Sequence, residues 1–441
     1  MATVAQNQLF VWQDLEILGD LERLQLALKY LPDEDLMTIL ENERGNGRND
    51  YPIRPIWNSI ISGIIYEHKG IENLRRELGR NGQLRQMCGF DLLKGLKAIP
   101  PSWVYTRFLK KLLKHENEIN KMFNLLVKKI KEYLPDFGKY LAFDGKAIQS
   151  VAPGKKKYSE DIKVDGRREL DADWGKKVYK GKNQDGSLWE KVKSWFGFRL
   201  HLIVDAKYEL PVAFKVTKAS SAEGPVIHEL FDTLDEKNPA VIDTCEYGLG
   251  DKGYDDGKLI KRLWDEYTIK PVIDIRNMWK DRETKILDGY WNIGYDYKGS
   301  VFCFSRESGE LIQREMTFGG FEKDRNTLKY RCPAKHYGFE CKECKCSVKT
   351  GIRIPLEVNR RVLTPLARSS YKWKKIYKMR TSVERVNSRL DVSFGFENHY
   401  IRGIKKMSAR CGLALCVMLS MAFGRIKENQ KDLMRSLVKS A

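Results

Sequence analysis

Gly197-Phe198-Arg199-Leu200-His201-Leu202-Ile203-Val204-Asp205 is the stretch from which the architecture of this chain can be read. Apolar and polar side chains alternate along it with the two-residue period of a strand. Val212-Ala213-Phe214-Lys215-Val216 resumes the pattern after a turn at 206–211. Two such runs across a short turn predict a β-hairpin. Upstream, Tyr140-Leu141-Ala142-Phe143-Asp144 predicts another strand. Downstream, Val226 to Leu234 predicts a helix, Tyr247 to Asp251 a strand, Gly257 to Tyr267 a helix and Pro271 to Ile275 a strand. The order β-ββ-α-β-α-β implies a mixed sheet with helices, an α/β fold.

Residues 1–135 read as helical. Asp20 to Leu28 carries apolar residues at helical spacing and is stopped by Leu31-Pro32. Ile56 to Ile65 and Gly70 to Leu78 form two short segments, with Arg75, Arg76 and Arg80 in or just after the second. They suit an ordinary helical hairpin somewhat better than a helix-turn-helix with a basic second helix. Trp103 to Leu134 predicts a basic amphipathic helix pair. Residues 151–192 are rich in Lys, Gly and Asp and predict a mobile loop, with Lys155-Lys156-Lys157 as a clamp on a polyanion. Residues 277–368 interrupt the α/β pattern with strand-like runs at Tyr290 to Phe304 and Leu328 to Cys332. Helical spacing returns from Trp373 to Leu390 and from Ile404 to Ile426. The expected plan is a helical N-terminal DNA-binding and assembly domain (1–138), a first core part (139–276), a β-rich insertion (277–368), and a last core part with C-terminal helices (369–441).

The 441 residues are 42% hydrophobic and 31% charged, the balance of a core-forming chain. The net charge of +20 favours an acidic partner, nucleic acid above all. Between Arg360 and Arg410 stand 14 Lys and Arg against three acids, so more than half of the excess lies in 51 residues. Met1 to Asp20 has no basic segment and does not read as a signal peptide. The apolar stretch Cys411 to Phe423 is short for a bilayer and predicts a buried helix, so no membrane partner is expected. Nine cysteines, partly clustered, argue against a secreted disulfide framework and fit a reducing cytoplasm.

Three carboxylates stand out. Asp144 follows an apolar run and precedes Gly145-Lys146. Asp251 lies between Gly250 and Lys252-Gly253-Tyr254 at a strand-to-helix turn. Glu384 sits in Tyr377-Lys-Met-Arg380-Thr-Ser-Val-Glu384-Arg385. Two acids at strand ends and one on a helix can converge on Mg²⁺ or Mn²⁺, hard ions that take oxygen ligands and activate water. The plain alternatives are a turn Asp before Gly and a surface ion pair of little weight. Asp255 and Asp256 read as N-caps of the following helix. At helical spacing Tyr377, Arg380 and Glu384 share one face, which would set Arg380 near phosphate and Glu384 near metal. The aromatic-basic mixture of Tyr371, Trp373, Lys374, Lys375, Tyr377 and Lys378 suits contact with a nucleic-acid backbone, or else a solvated helix face.

Cys332, Cys341, Cys344 and Cys346 fall within 15 residues and could bind a structural Zn²⁺, with Cys303 or His336 replacing a ligand. Reduced loop cysteines are the alternative. Cys245, Cys411 and Cys416 read as core, and His201 as a structural strand residue.

In the order Asp144-Gly-Lys146, Asp251-Lys-Gly-Tyr254 and Tyr377-x2-Arg380-x3-Glu384-x6-Asp391, the chain resembles the DDE transposases of bacterial insertion sequences that carry a Y-x2-R-x3-E-x6-K motif. The last position is Asp391 here, not Lys, with Arg389 two residues away. Gly197 to Asp205 and Ser220 to Pro225 are also similar to family sequences. The resemblance covers roughly 50–425. It implies an RNase H-like core, two Mg²⁺ ions on Asp144, Asp251 and Glu384, hydrolysis at element ends, and attack of the freed 3′-OH on target DNA. Lys146, Arg380, Arg385 and Arg389, with Tyr377 and the nearby lysines, would grip double-stranded DNA. Trp279 or Trp291 would hold a flipped base in relatives that form a hairpin, unless they are core residues. The resemblance further implies a homodimer on paired ends and a bacterial, nucleoid-associated location. A metal-dependent nuclease of the same fold, or an inactive DNA-binding relative, remains open.

Overall fold

The computed structural model describes residues 20–45, 49–154, 168–183, 185–279, 284–307, 310–341, 348 and 350–437. Its centre is a mixed sheet of six strands. They are β1 (Tyr140–Gln149), β2 (Asp173–Lys182), β3 (Leu188–Asp205), β4 (Leu210–Lys218), β5 (Tyr247–Gly250) and β6 (Lys270–Ile273). The order is β2-β3-β1-β5-β6, with β4 also on β3. The hairpin expected around the 206–211 turn is β3–β4, antiparallel, with Leu200 opposite Val216 and His201 opposite Lys215. β1 runs antiparallel to β3 and parallel to β5, and β5 runs parallel to β6.

From Gly197 to Asp205, β3 is buried on both faces, so its polar residues need internal partners. Arg199 binds Glu223, His201 meets Thr217 at 2.9 Å, and Asp205 accepts from the Gly138 and Tyr208 N–H groups. The polar half of the alternation therefore marks enclosed side chains, not a wet face. Gly197 allows the closest approach in the sheet: a Cβ there would lie 2.1 Å from the Ile148 carbonyl oxygen.

One face of the sheet carries the Glu223–Lys237 helix, where Phe143 meets Phe231 edge-on. On the other lies the long Ile404–Lys427 helix, packed on β4 and on the N-terminal helices Leu21–Tyr30 and Glu116–Tyr133. Two of its glycines let these neighbours come close. A Cβ on Gly412 would lie 2.9 Å from Ile119, and one on Gly424 would lie 2.6 Å from Leu26. The N-terminal helices and the sheet thus share one continuous apolar core. The Ile404–Lys427 helix is long and apolar enough to cross a membrane, yet 89% of its most apolar window is buried within the protein.

The segment after β6 has its own core around Ile293, Val301, Tyr330 and Ile354. It comprises a four-stranded antiparallel sheet (Thr284–Ile286, Ile293–Asp296, Val301–Glu307, Glu310–Glu315) and a three-stranded one (Thr317–Glu322, Thr327–Arg331, Gly351–Pro355). Buried Arg368 ties its return to the main sheet by donating to the carbonyls of Ile273, Val362 and Arg361.

One expectation is corrected. Residues 173–182 and 188–192 are not loop: β2 and the outer half of β3 form a regular antiparallel ribbon from Asp173–Gly197 to Lys182–Leu188. Lysine and glycine content hid it, because an exposed ribbon needs no apolar face. Lys155, Lys156 and Lys157 lie outside the described residues.

Candidate active site

Asp144 and Asp251 come together through strand register. Tyr140 pairs with Tyr247, Leu141 with Gly248 and Ala142 with Leu249. Two residues further on in each strand stand Asp144 and Asp251, level with one another. Parallel neighbours lie about 4.8 Å apart. Asp251 ends its strand as expected, and its carboxylate turns back to accept from Gly253 N at 2.7 Å. Asp144 is not at a strand end: β1 continues to Gln149 against β3, and only its pairing with β5 stops. The two strands part at the carboxylates, which leaves the cleft open there.

Burial pushes the Asp144 carboxyl above its ordinary value; Lys177 pulls it back and the charge of Asp251 adds to the rise. A third carboxylate belongs to this cluster. Glu223, at the start of its helix, is held by Arg199 at 2.8 Å. A Cβ on Gly145 would meet Glu223 Oε1 at 2.8 Å, and one on Gly253 would meet Glu223 Oε2 at 3.2 Å. The glycines beside each aspartate therefore make room for Glu223. Burial raises the Glu223 carboxyl, Arg199 and Lys177 oppose the rise, and Asp144 and Asp251 add to it. Neither Glu223, Lys177 nor Arg199 was singled out from the sequence. The available signal was a charged residue inside a buried strand, Arg199, which requires an acid nearby.

The Tyr371–Tyr377 helix, capped by Ser370, runs through a 3₁₀ turn (Lys378–Thr381) into the Ser382–Phe394 helix. The turn packs on β1 and β5. Tyr377, Arg380 and Glu384 share a face as the spacing predicts. The Arg380 guanidinium lies 5.9 Å from the Tyr377 ring centre and binds Glu384 at 2.9 Å. Its charge also acts on Asp144 and Asp251. Arg380 thus binds Glu384 while its charge reaches the aspartate pair. Burial, then Asp274, raise the Tyr377 hydroxyl; Arg380 opposes them and Asp251 adds to the rise.

Asp391, two turns beyond Glu384, accepts from Lys146 of β1 at 2.5 Å. Lys146 is only 9% exposed and its charge is used inside the protein. Arg385 and Arg389 both reach Glu209 in the β3–β4 turn, at 2.6 and 3.2 Å, and hold the helix to that turn. Lys374, Lys375 and Lys378 are exposed. Asp256 caps the next helix through Lys258 N at 3.0 Å. Asp255 does not: it is buried and bound by Arg361, because the chain returning from the β-rich segment must find a counter-charge there.

All three motif acids are oxygen donors suited to a hard divalent ion. The aspartate pair fits one; Glu384 is engaged with Arg380. Among the described residues no three His, Cys, Asp or Glu side chains are grouped to hold a metal. Cys332 is buried and Cys341 half-buried, while Cys344 and Cys346 lie outside the described residues. Trp279 packs edge-on against Tyr295, and Trp291 is 54% exposed.

The family model of the transposase DDE domain matches residues 144–419. The match starts at Asp144 and spans Asp251 and Glu384. No curated protein and no solved structure matches the chain.

Proposed function

The chain belongs to the transposase DDE-domain family, and from that footing we propose that it hydrolyses DNA at the ends of an insertion sequence and joins the freed ends to target DNA. Family membership makes it a nucleic-acid-processing enzyme. The observation that carries the finer reading is the pair Asp144 and Asp251 on neighbouring strands, with Arg380, itself bound to Glu384, acting on both. The antiparallel β3–β1 and parallel β1–β5–β6 order supports an RNase H-like core.

Asp144 and Asp251 would hold Mg²⁺ or Mn²⁺, and Glu384 would join them on leaving Arg380. Such an ion, when bound, supplies Lewis acidity and a more acidic water. Arg380, released by Glu384, is then free to donate to a phosphate oxygen. Tyr377 and the exposed Lys374, Lys375 and Lys378 border the same side. In the first step a water oxygen bonds to phosphorus and the P–O3′ bond breaks, leaving a 3′-OH and a 5′-phosphate. The proton lost by water is balanced by the one gained at O3′. In the second step that 3′-OH attacks a target phosphodiester and displaces the target's own 3′ oxygen, which is protonated in turn. Two copies would act on paired ends. A Zn²⁺ on Cys332, Cys341, Cys344 and Cys346 is a separate proposal, and elemental analysis of purified protein decides it.

The test is Mg²⁺-dependent cleavage of supercoiled plasmid carrying the element's own ends, wild type beside Glu384→Gln. End-specific cleavage lost in the variant supports the reading. Cleavage without joined product reduces it to a nuclease. Binding without cleavage by wild type leaves an inactive DNA-binding relative.

A further inference from the structure

The β2–β3 ribbon extends the catalytic sheet outward and has two unlike faces. Opposed residues of an antiparallel pair share a face. One face carries Lys176 opposite Ser194 and Val178 opposite Val192, with Glu190 and Leu188 further out, so its charges are of mixed sign. The other carries, from root to tip, Gly175 opposite Trp195, Lys177 opposite Lys193, then Lys191, and Gly181 opposite Trp189. Beyond Gly175 this second face holds no acid: Glu190 belongs to the first face and Asp185 to the turn. Lys191 and Lys193 are exposed. Trp189 lies across Gly181, where a Cβ would come within 2.3 Å of the indole. The ring is thereby laid on the ribbon with 42% of the residue still exposed.

The root of this face reaches the candidate active site. Lys177 Nζ lies 3.4 Å from the Gly145 carbonyl, and its charge acts on Asp144 and Glu223. A line of cations therefore runs from the aspartate pair along the ribbon to an exposed indole.

We propose that the Lys177–Lys193–Lys191–Trp189 face of the ribbon is a DNA-binding surface that holds the duplex running into the Asp144–Asp251 cleft. This rests on the reading that the substrate is DNA. Rows on one face repeat every two residues, about 6.7 Å. One DNA strand presents a phosphate about every 3.4 Å along the axis, so each lysine row has a phosphate in reach. The terminal indole offers an apolar plate to a sugar or an unpaired base. A two-stranded ribbon is also narrow enough to follow the major groove.

The experiment uses the full chain and a labelled random-sequence duplex, with affinity read by anisotropy across a salt series. Lys191→Glu combined with Lys193→Glu, and separately Trp189→Ala, are compared with wild type. Leu188→Ser, on the opposite face and 84% exposed, is the control for the fold. Thermal melting is recorded for each. The proposal expects the double variant to bind at least about tenfold more weakly. Its salt slope should be shallower by about 2, from two lost phosphate contacts. Trp189→Ala should weaken binding several-fold, and Leu188→Ser should not. Unchanged affinity and slope in the double variant overturn the proposal while leaving the function reading intact. A changed oligomer mass with unchanged affinity overturns it too, and assigns the face to a second copy. Failure of wild type to bind any duplex defeats the function reading itself, and the ribbon proposal with it.

Discussion

Lys146 donates to Asp391 at 2.5 Å, and this contact fixes the height at which the Ser382–Phe394 helix crosses β1. Lys146 lies two residues beyond Asp144 on the same side of the strand, and Asp391 lies two turns beyond Glu384 on the helix. The pair therefore ties the helix bearing Glu384 to the strand bearing Asp144. Here Asp391, at a position where the resembling motif has Lys, becomes a structural partner.

Breaking that pair should loosen the site. Lys146→Met leaves Asp391 without a counter-charge and is expected to cost about 2 kcal/mol, since the pair is largely but not wholly buried. Asp391→Lys should cost more, by placing two cations together. The exchange Lys146→Asp with Asp391→Lys should recover much of the loss. Thermal melts of all four proteins check this, and failure of the exchange to recover anything would sink the pairing.

Asp144 sits under strain that a cation would relieve. Asp144→Asn is expected to raise the melting temperature in chelator by about 2 °C, since it removes a half-buried carboxylate that feels the charge of Asp251. The same change should erase the rise expected for wild type in Mn²⁺ and should lower cleavage by about a hundredfold or more. Scanning calorimetry with and without Mn²⁺ reads the first two effects, and a plasmid assay the third.

Gly197→Ala should be among the most damaging single-methyl changes in the chain. The new Cβ meets backbone at 2.1 Å, which no side-chain rotation relieves. About 3 kcal/mol of stability is expected to go, with β1 pushed away from β3. A melting temperature within a degree of wild type would contradict the close approach.

His201 sets an acid-side dependence. Burial, then Arg199 and Lys215, lower it from 6.5 to about 3. The folded chain keeps it neutral while the unfolded chain binds a proton below pH 6.5. Its stabilising contribution is thus complete above pH 6.5 and lost as pH falls towards 3. His201→Gln should flatten the decline in melting temperature between pH 7 and 4.5. An unchanged slope would locate the acid sensitivity elsewhere.

The core strands and helices between Tyr140 and Ile273 were legible from spacing, because burial imposes a two-residue or a 3.6-residue period on apolar side chains. Tyr377, Arg380 and Glu384 were legible as one face for the same reason. The ribbon was not: its residues are exposed, so nothing forced its apolar positions into a recognisable pattern. Glu223 was not either, because its place beside Gly145 and Gly253 depends on how a helix docks on a sheet.

By itself the sequence determined the α/β order, the basic stretch around Glu384, and which three acids lie in chemically telling contexts. Those follow from local periodicity and composition. Only the tertiary structure decided that Asp144 and Asp251 stand level, that Glu384 is bound to Arg380, and that Glu223 is enclosed with the aspartates. These are contacts between segments 28 to 107 residues apart, or choices of one partner over another. Strand register and helix docking fix them, and neither is encoded in any single stretch of chain.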